Sequence, residues 1–166
     1  IECSGIIPGE FSMLSLGACL LDDPNTNFYV ELKPISDNTD PKAMEIHGLS
    51  IDELKKTGKD PEEAMLQLES WVNNVSGDKT PVFLAWPIAF DWMFVHWYFI
   101  KFLGRDPFSF AGPCMRSYAW TKLGGNWWDV RKSKLPSELK PDVETTHNAL
   151  DDAKEQAEIY KRLFEL

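Results

Sequence analysis

The amino-acid sequence predicts an α/β sandwich built on a mixed sheet. Two apolar, partly alternating segments come first and read as a hairpin. Short apolar runs then alternate with stretches of helical period. The 166 residues, 43% of them apolar with seven Trp and ten Phe, suit one domain over residues 1–166. A chain of this length buries roughly 70% of the surface that it exposes when unfolded.

"FSMLSLGACLL" (Phe11–Leu21) and "FYVELKPI" (Phe28–Ile35) are joined by "DDPNTN", six polar turn-formers, as in a hairpin with a loop. "SIDELKKTG" opens with Ser50 and has Glu53 three residues on, a capping box, so a helix runs from there to Gly58. "DPEEAMLQLESWVNNVSG" repeats the device with Asp60, Pro61 and Glu63, and its apolar positions keep helical spacing up to Gly77. "PVFLAW" (Pro81–Trp86) is a continuous apolar run, expected to be a strand buried on both faces. "DWMFVHWYFIKFLG" follows as a helix apolar nearly all round, within which His96 reads as a core histidine. "MRSYAWTKLGG" is expected to be a short helix, residues 126–146 an irregular connection, and the last helix to start near Asn148.

Composition narrows the function. No run approaches the about 20 apolar residues of a membrane span, and no signal peptide is visible. Three widely spaced cysteines without a CxxC pair argue against a disulfide framework or Cys-rich zinc site, and point to a reducing cytoplasm. The net charge of −9 is unlike the basic footprint of a general nucleic-acid binder. It fits better with carboxylates gathered around cations, which invert the local field.

Three acids stand at the ends of separate elements. In the last helix, at about 100° per residue, Ala149, Leu150, Ala153, Ala157, Tyr160, Leu163 and Phe164 form one stripe. Asp151 falls almost opposite that stripe and Asp152 at its margin, where a side chain reaches a neighbouring cleft. Asp91, in "AFDWMF", separates the buried run from the apolar helix. Glu2, in "IECSG", ends a strand before a tight turn. Taken singly, Asp152 reads as a surface acid at a positive helix end, Asp91 as an N-cap, and Glu2 as nothing more than a strand-end acid.

Together, and in this order, they resemble the DEDDh family of 3′–5′ exonucleases over essentially the whole chain. "IECSG" matches the end of that family's first motif, whose leading Asp falls one position before Ile1. "MEIHGLSIDEL" (Met44–Leu54) is similar to its His-Gly segment, "AFDWMF" supplies the second acid, and "HNALDDA" the His-x4-Asp motif. Trp86 and Pro87 stand where the family usually has His-Asn.

The resemblance implies an RNase H-like mixed sheet, three antiparallel strands followed by parallel ones, with helices on both faces and a first strand truncated at Ile1. It implies hydrolysis of phosphodiester bonds at 3′ ends of single-stranded DNA or RNA, or of short oligonucleotides, by a two-metal mechanism using Mg²⁺ or Mn²⁺. Glu2, Asp91 and Asp152 would be the metal ligands and His147 the general base. Backbone N–H groups of Cys3, Ser4 and Gly5 would meet the terminal nucleotide. Ile46, His47 and Phe90 would surround its base, though Ile46 and Phe90 also fit core packing and His47 a turn hydrogen bond. "GGNWW" suits an aromatic loop that stacks on a base, or a cover at the edge of the core. The rival readings are a non-catalytic nucleic-acid- or protein-binding module of the same fold, and an unrelated metal-dependent phosphohydrolase. DNA versus RNA preference and homodimer formation stay open.

Overall fold

A computed structural model describes residues 1–141 and 146–166. Three strands, β1 (Glu2–Cys3), β2 (Met13–Cys19) and β3 (Asn27–Glu31), form an antiparallel sheet in that order. Among the described residues six α-helices follow: α1 (Pro41–His47), α2 (Ile51–Thr57), α3 (Pro61–Ser76), α4 (Ile88–Leu103), α5 (Met115–Leu123) and α6 (Ala149–Glu165). No helix among the described residues is long and apolar enough to cross a membrane.

The period-2 alternation of β2 and β3 assigns their faces. Leu16, Ala18, Phe28 and Val30 pack with Ala64, Met65 and Leu68 of α3 and Phe94, Val95, Tyr98 and Phe99 of α4. Ser15 and Gly17 therefore face the other way, and there α6 lies directly on the strand. A Cβ at Gly17 would come within 2.2 Å of the Leu150 amide nitrogen and 2.3 Å of the Ala149 carbonyl carbon. Helices thus cover both faces, and the glycine lets the first turn of α6 touch the sheet. A second apolar cluster joins Ile159 and Leu163 of α6 to Met115 and Ala119 of α5 and to Val130, Leu135 and Leu139 of the connection.

The caps expected from the sequence form. Ser50 accepts from the Glu53 N–H, and Asp60 from the Glu62 N–H with Pro61 in the first helical position. Helix α1 was not anticipated, although Asp40 caps it, Pro41 opens it and Gly48 closes it in the left-handed region. The expected strand Pro81–Trp86 is corrected: its only ladder pairing among the described residues is the isolated parallel bridge Ala85–Cys114. No parallel strand forms among the described residues. The physical reason is a missing partner, because β1 pairs only with Ser15 and Met13 of β2. Beyond Ser15, residues of β2 and residues 80–87 line one cavity of about 980 Å³. His96 is likewise corrected: it is exposed, stacked on Trp92 and 2.6 Å from Asp106 rather than buried in the core. The connection over 126–146 contains three short 3₁₀ turns, and its residues 142–145 lie outside the described residues.

Candidate active site

The register of the sheet decides where Glu2 points. Glu2 pairs with Ser15, and directly opposed residues share a face, so the Glu2 side chain projects to the α6 side of the sheet. The Ser15 hydroxyl there is buried and has no partner among the described residues. Gly17, two residues further along, is where α6 docks. Strand register and helix docking thus bring Glu2 and the start of α6 together.

At that start Asn148 is the N-cap, its Oδ1 accepting from the Leu150 and Asp151 N–H groups at 2.9 and 3.4 Å. Neither aspartate is therefore needed as a cap. Asp151 is exposed and accepts a bond from the Thr146 hydroxyl at 2.7 Å. Asp152 is only 24% exposed and lies 3.8 Å from Lys132 Nζ, which is itself 2.5 Å from Glu155.

Asp91 is also not a cap, which corrects that reading. Helix α4 begins three residues earlier, at Ile88, after Pro87. Asp91 then falls on the same helical face as Phe94, Val95 and Tyr98, all fully buried. This explains an acid only 15% exposed, with Oδ1 3.1 Å from the Ile1 amino nitrogen.

The three acids influence one another. Burial pushes the Glu2 carboxyl up to about 7; Asp152 and Asp91 reinforce this, and Lys132 opposes it. Carboxylates held together out of water repel until a cation arrives. As they stand, the Lys132 ammonium lies 3.8 Å from Asp152, and no three His, Cys, Asp or Glu among the described residues converge as a ready-made metal cage. In donor chemistry the set suits a hard divalent cation, being all oxygen and in excess negative charge.

The two histidines flank this cluster. His47 Nδ1 accepts from the Leu49 N–H at 3.1 Å, so the ring proton sits on Nε2, which donates to the Cys3 carbonyl at 3.2 Å. Burial holds the His47 pKa below its usual value, and the nearby His147 lowers it further. His147 is exposed and adopts a positive φ of 52°, uncommon for a residue other than glycine, though His is among those that enter this region more readily. A non-glycine residue held there costs on the order of 1–3 kcal/mol and is a motive to look for function.

The other candidates divide. Ile46 is 57% exposed beside His47 and is not core. Phe90 packs partly against the main core and meets Phe94 at 5.4 Å. Ser4 spends its N–H on the Ser12 carbonyl and its own carbonyl on Asp40. Gly5 has the Phe11 ring within 2.3 Å of where a Cβ would be, so only glycine fits. Cys3 is buried. Lys132 was not anticipated. Its signal in the sequence was weak, a cation in an irregular segment with no motif around it.

No family model matches the chain. It is 40% identical, over 167 aligned residues, to the 3′–5′ DNA exonuclease Cap18 of Escherichia coli, an alignment spanning all of this chain and 89% of that protein. The chain belongs to the 3′–5′ exonuclease family, whose members are phosphodiester hydrolases.

Proposed function

From that membership we propose that the protein is a metal-dependent exonuclease that shortens single-stranded DNA from its 3′ end, on an RNase H-like fold of the DEDDh type. What supports this is that Asp91 of α4 and Asp152 of α6 line one cavity, and that burial, with Asp152 and Asp91 adding to it, raises the Glu2 carboxyl of β1 to about 7. DNA is named because the Escherichia coli relative is a DNA exonuclease.

Glu2, Asp91 and Asp152 would hold two divalent cations, Mg²⁺ or Mn²⁺. When bound, the cations supply charge neutralisation at the scissile phosphate and at the leaving oxygen. The chain's own residues do the rest. Glu2 gives up its proton as the site loads. Asp152 would release the Lys132 ammonium to hold a cation, and Glu155, 2.5 Å from Lys132, would retain that ammonium. His147 accepts a proton from the attacking water at a ring nitrogen, a task suited to an imidazole near neutral pH. His47 anchors the Cys3 carbonyl, which fixes the strand end that carries Glu2.

One observation favours the second reading, a non-catalytic module of the same fold: the acids do not form a metal cage as they stand, among the described residues. Isothermal titration with Mn²⁺ separates the two. The exonuclease reading expects saturable binding that is abolished in Asp152→Asn, and the module reading expects none.

A further inference from the structure

Charge is unevenly spread along this acidic chain. Residues 116–140 carry six basic side chains, Arg116, Lys122, Arg131, Lys132, Lys134 and Lys140, against only Asp129 and Glu138, while the whole chain is at −9. In the same segment Trp128 is 67% exposed, too open to be a cover for the core.

The loop that presents Trp128 is braced from several sides. The neighbouring Trp127 lies under the Arg116 guanidinium at 4.3 Å, and its carbonyl accepts from Arg116 at 3.0 Å. Trp120 meets Trp127 edge-on at 5.8 Å and donates its indole N–H to the Gly125 carbonyl. Asn126 Oδ1 accepts the Trp128 N–H at 2.9 Å, and Arg131 Nε donates to the Trp128 carbonyl at 2.8 Å. Further along, Leu135 and Leu139 anchor the segment to Ile159 and Leu163 of α6. The helix that carries Asp152 therefore also holds this wall. Lys132 touches Asp152, and four residues span at most about 14 Å even when fully extended. The segment that bears the exposed indole thus runs up to Asp152 at Lys132, with Lys132 also paired to Glu155 and Lys134 to Asp129.

We infer that residues 116–140 form the wall that grips the single strand beyond its terminal nucleotide, with Trp128 as a stacking platform for a base and Arg131, Lys132 and Lys134 facing its phosphates. This rests on the exonuclease reading of the neighbouring site. Its physical basis is general: every base has a π-face to lay on an indole, and single strands follow a positive groove. It also resolves the awkward net charge. A protein at −9 can hold a polyanion if enough of its 17 Lys and Arg are gathered where the strand runs.

The test is equilibrium binding of a fluorescein-labelled, twelve-nucleotide single-stranded DNA in EDTA, followed by anisotropy across a salt series. Trp128→Ala is expected to weaken binding about 5- to 100-fold, with Trp128→Phe recovering part of the affinity. Arg131→Ala with Lys134→Ala is expected to make the slope of log affinity against log salt shallower by about 0.7 for each phosphate that is no longer neutralised. Thermal melts of each variant confirm folding. Wild-type affinity and slope in these folded variants would overturn the wall, as would a wild type that does not bind the strand. Because EDTA removes turnover from the assay, the two readings fail separately. A protein that binds the strand through Trp128 but never hydrolyses it with Mg²⁺ or Mn²⁺ refutes the exonuclease and leaves the wall standing.

Discussion

Gly17→Ala probes the packing on which the site depends. The added Cβ would sit 2.2 Å from the Leu150 nitrogen and 2.3 Å from the Ala149 carbonyl carbon. Ordinary van der Waals separation begins at 3.4 Å, so α6 must retreat from β2 by about 1.2 Å. The obstacle is backbone, so trimming the Leu150 side chain would give no relief. Overpacking of this kind costs about 1–3 kcal/mol, offset by about 0.4–1 kcal/mol from a less flexible unfolded chain. At about 2–4 °C per kcal/mol for a chain of this size, Tm should fall by several degrees. The displacement also carries Asp152 and His147 away from Glu2, and a misplacement of about 1 Å can cost on the order of 10²-fold in rate. The assay pairs a thermal melt with exonuclease turnover well below the melting range. Unchanged Tm together with unchanged turnover would refute the docking of α6 on Gly17 as the device that assembles the site.

Asp151→Asn should leave turnover nearly intact, whereas Asp152→Asn should abolish it, since only Asp152 leaves solvent for the acid cluster; equal reductions at unchanged stability would contradict the helical-face argument. His147→Ala should lower turnover by about 10²- to 10⁴-fold and keep Mn²⁺ binding, so retained turnover or abolished binding would remove it as the base. Glu2 must be ionised to hold a cation, so Mn²⁺ affinity should climb as pH rises through about 7, with proton uptake by the buffer measurable by calorimetry. The same group has its folded pKa raised from 4.5, so its contribution to the stability of the cation-free protein is full below about 4.5 and lost as pH rises through about 7. Glu2→Gln should flatten both dependences, and a wild type with pH-independent affinity between 5.5 and 8.5, limits chosen at about 1.5 units either side of that value, would show that Glu2 is no ligand.

The parts of the fold written in local chemistry were legible in the sequence. N-caps at Ser50 and Asp60 fix two helices because the cap bonds are made within three residues, although the return bonds of Glu53 and Glu63 that would complete the boxes do not form among the described residues. The 3.6-residue period separated Asp151 from Asp152 because facing depends only on the helix itself. Helix α1 is equally local, set by the Asp40 cap, Pro41 at its start and Gly48 at its end. The 81–86 segment differs in kind. Its apolar run states that it is buried, but a strand exists only with a partner, and here the partnering is a single bridge. Asp91 shows the same limit, since only the true start of α4 at Ile88 reveals that the acid lies on a buried face rather than at the cap. Lys132 was illegible because its meaning comes from Asp152 and Glu155, twenty and twenty-three residues away across an irregular approach.

The central claim is that Glu2, Asp91 and Asp152 form a cation site that removes nucleotides from 3′ ends. A 5′-labelled single-stranded DNA, offered with a free or a chemically blocked 3′ end, with Mn²⁺ or with EDTA, tests it directly. The account predicts stepwise shortening of the free-ended strand with Mn²⁺ only, and an intact blocked strand throughout. Shortening that persists in EDTA, or equal cleavage of the blocked strand, would contradict it.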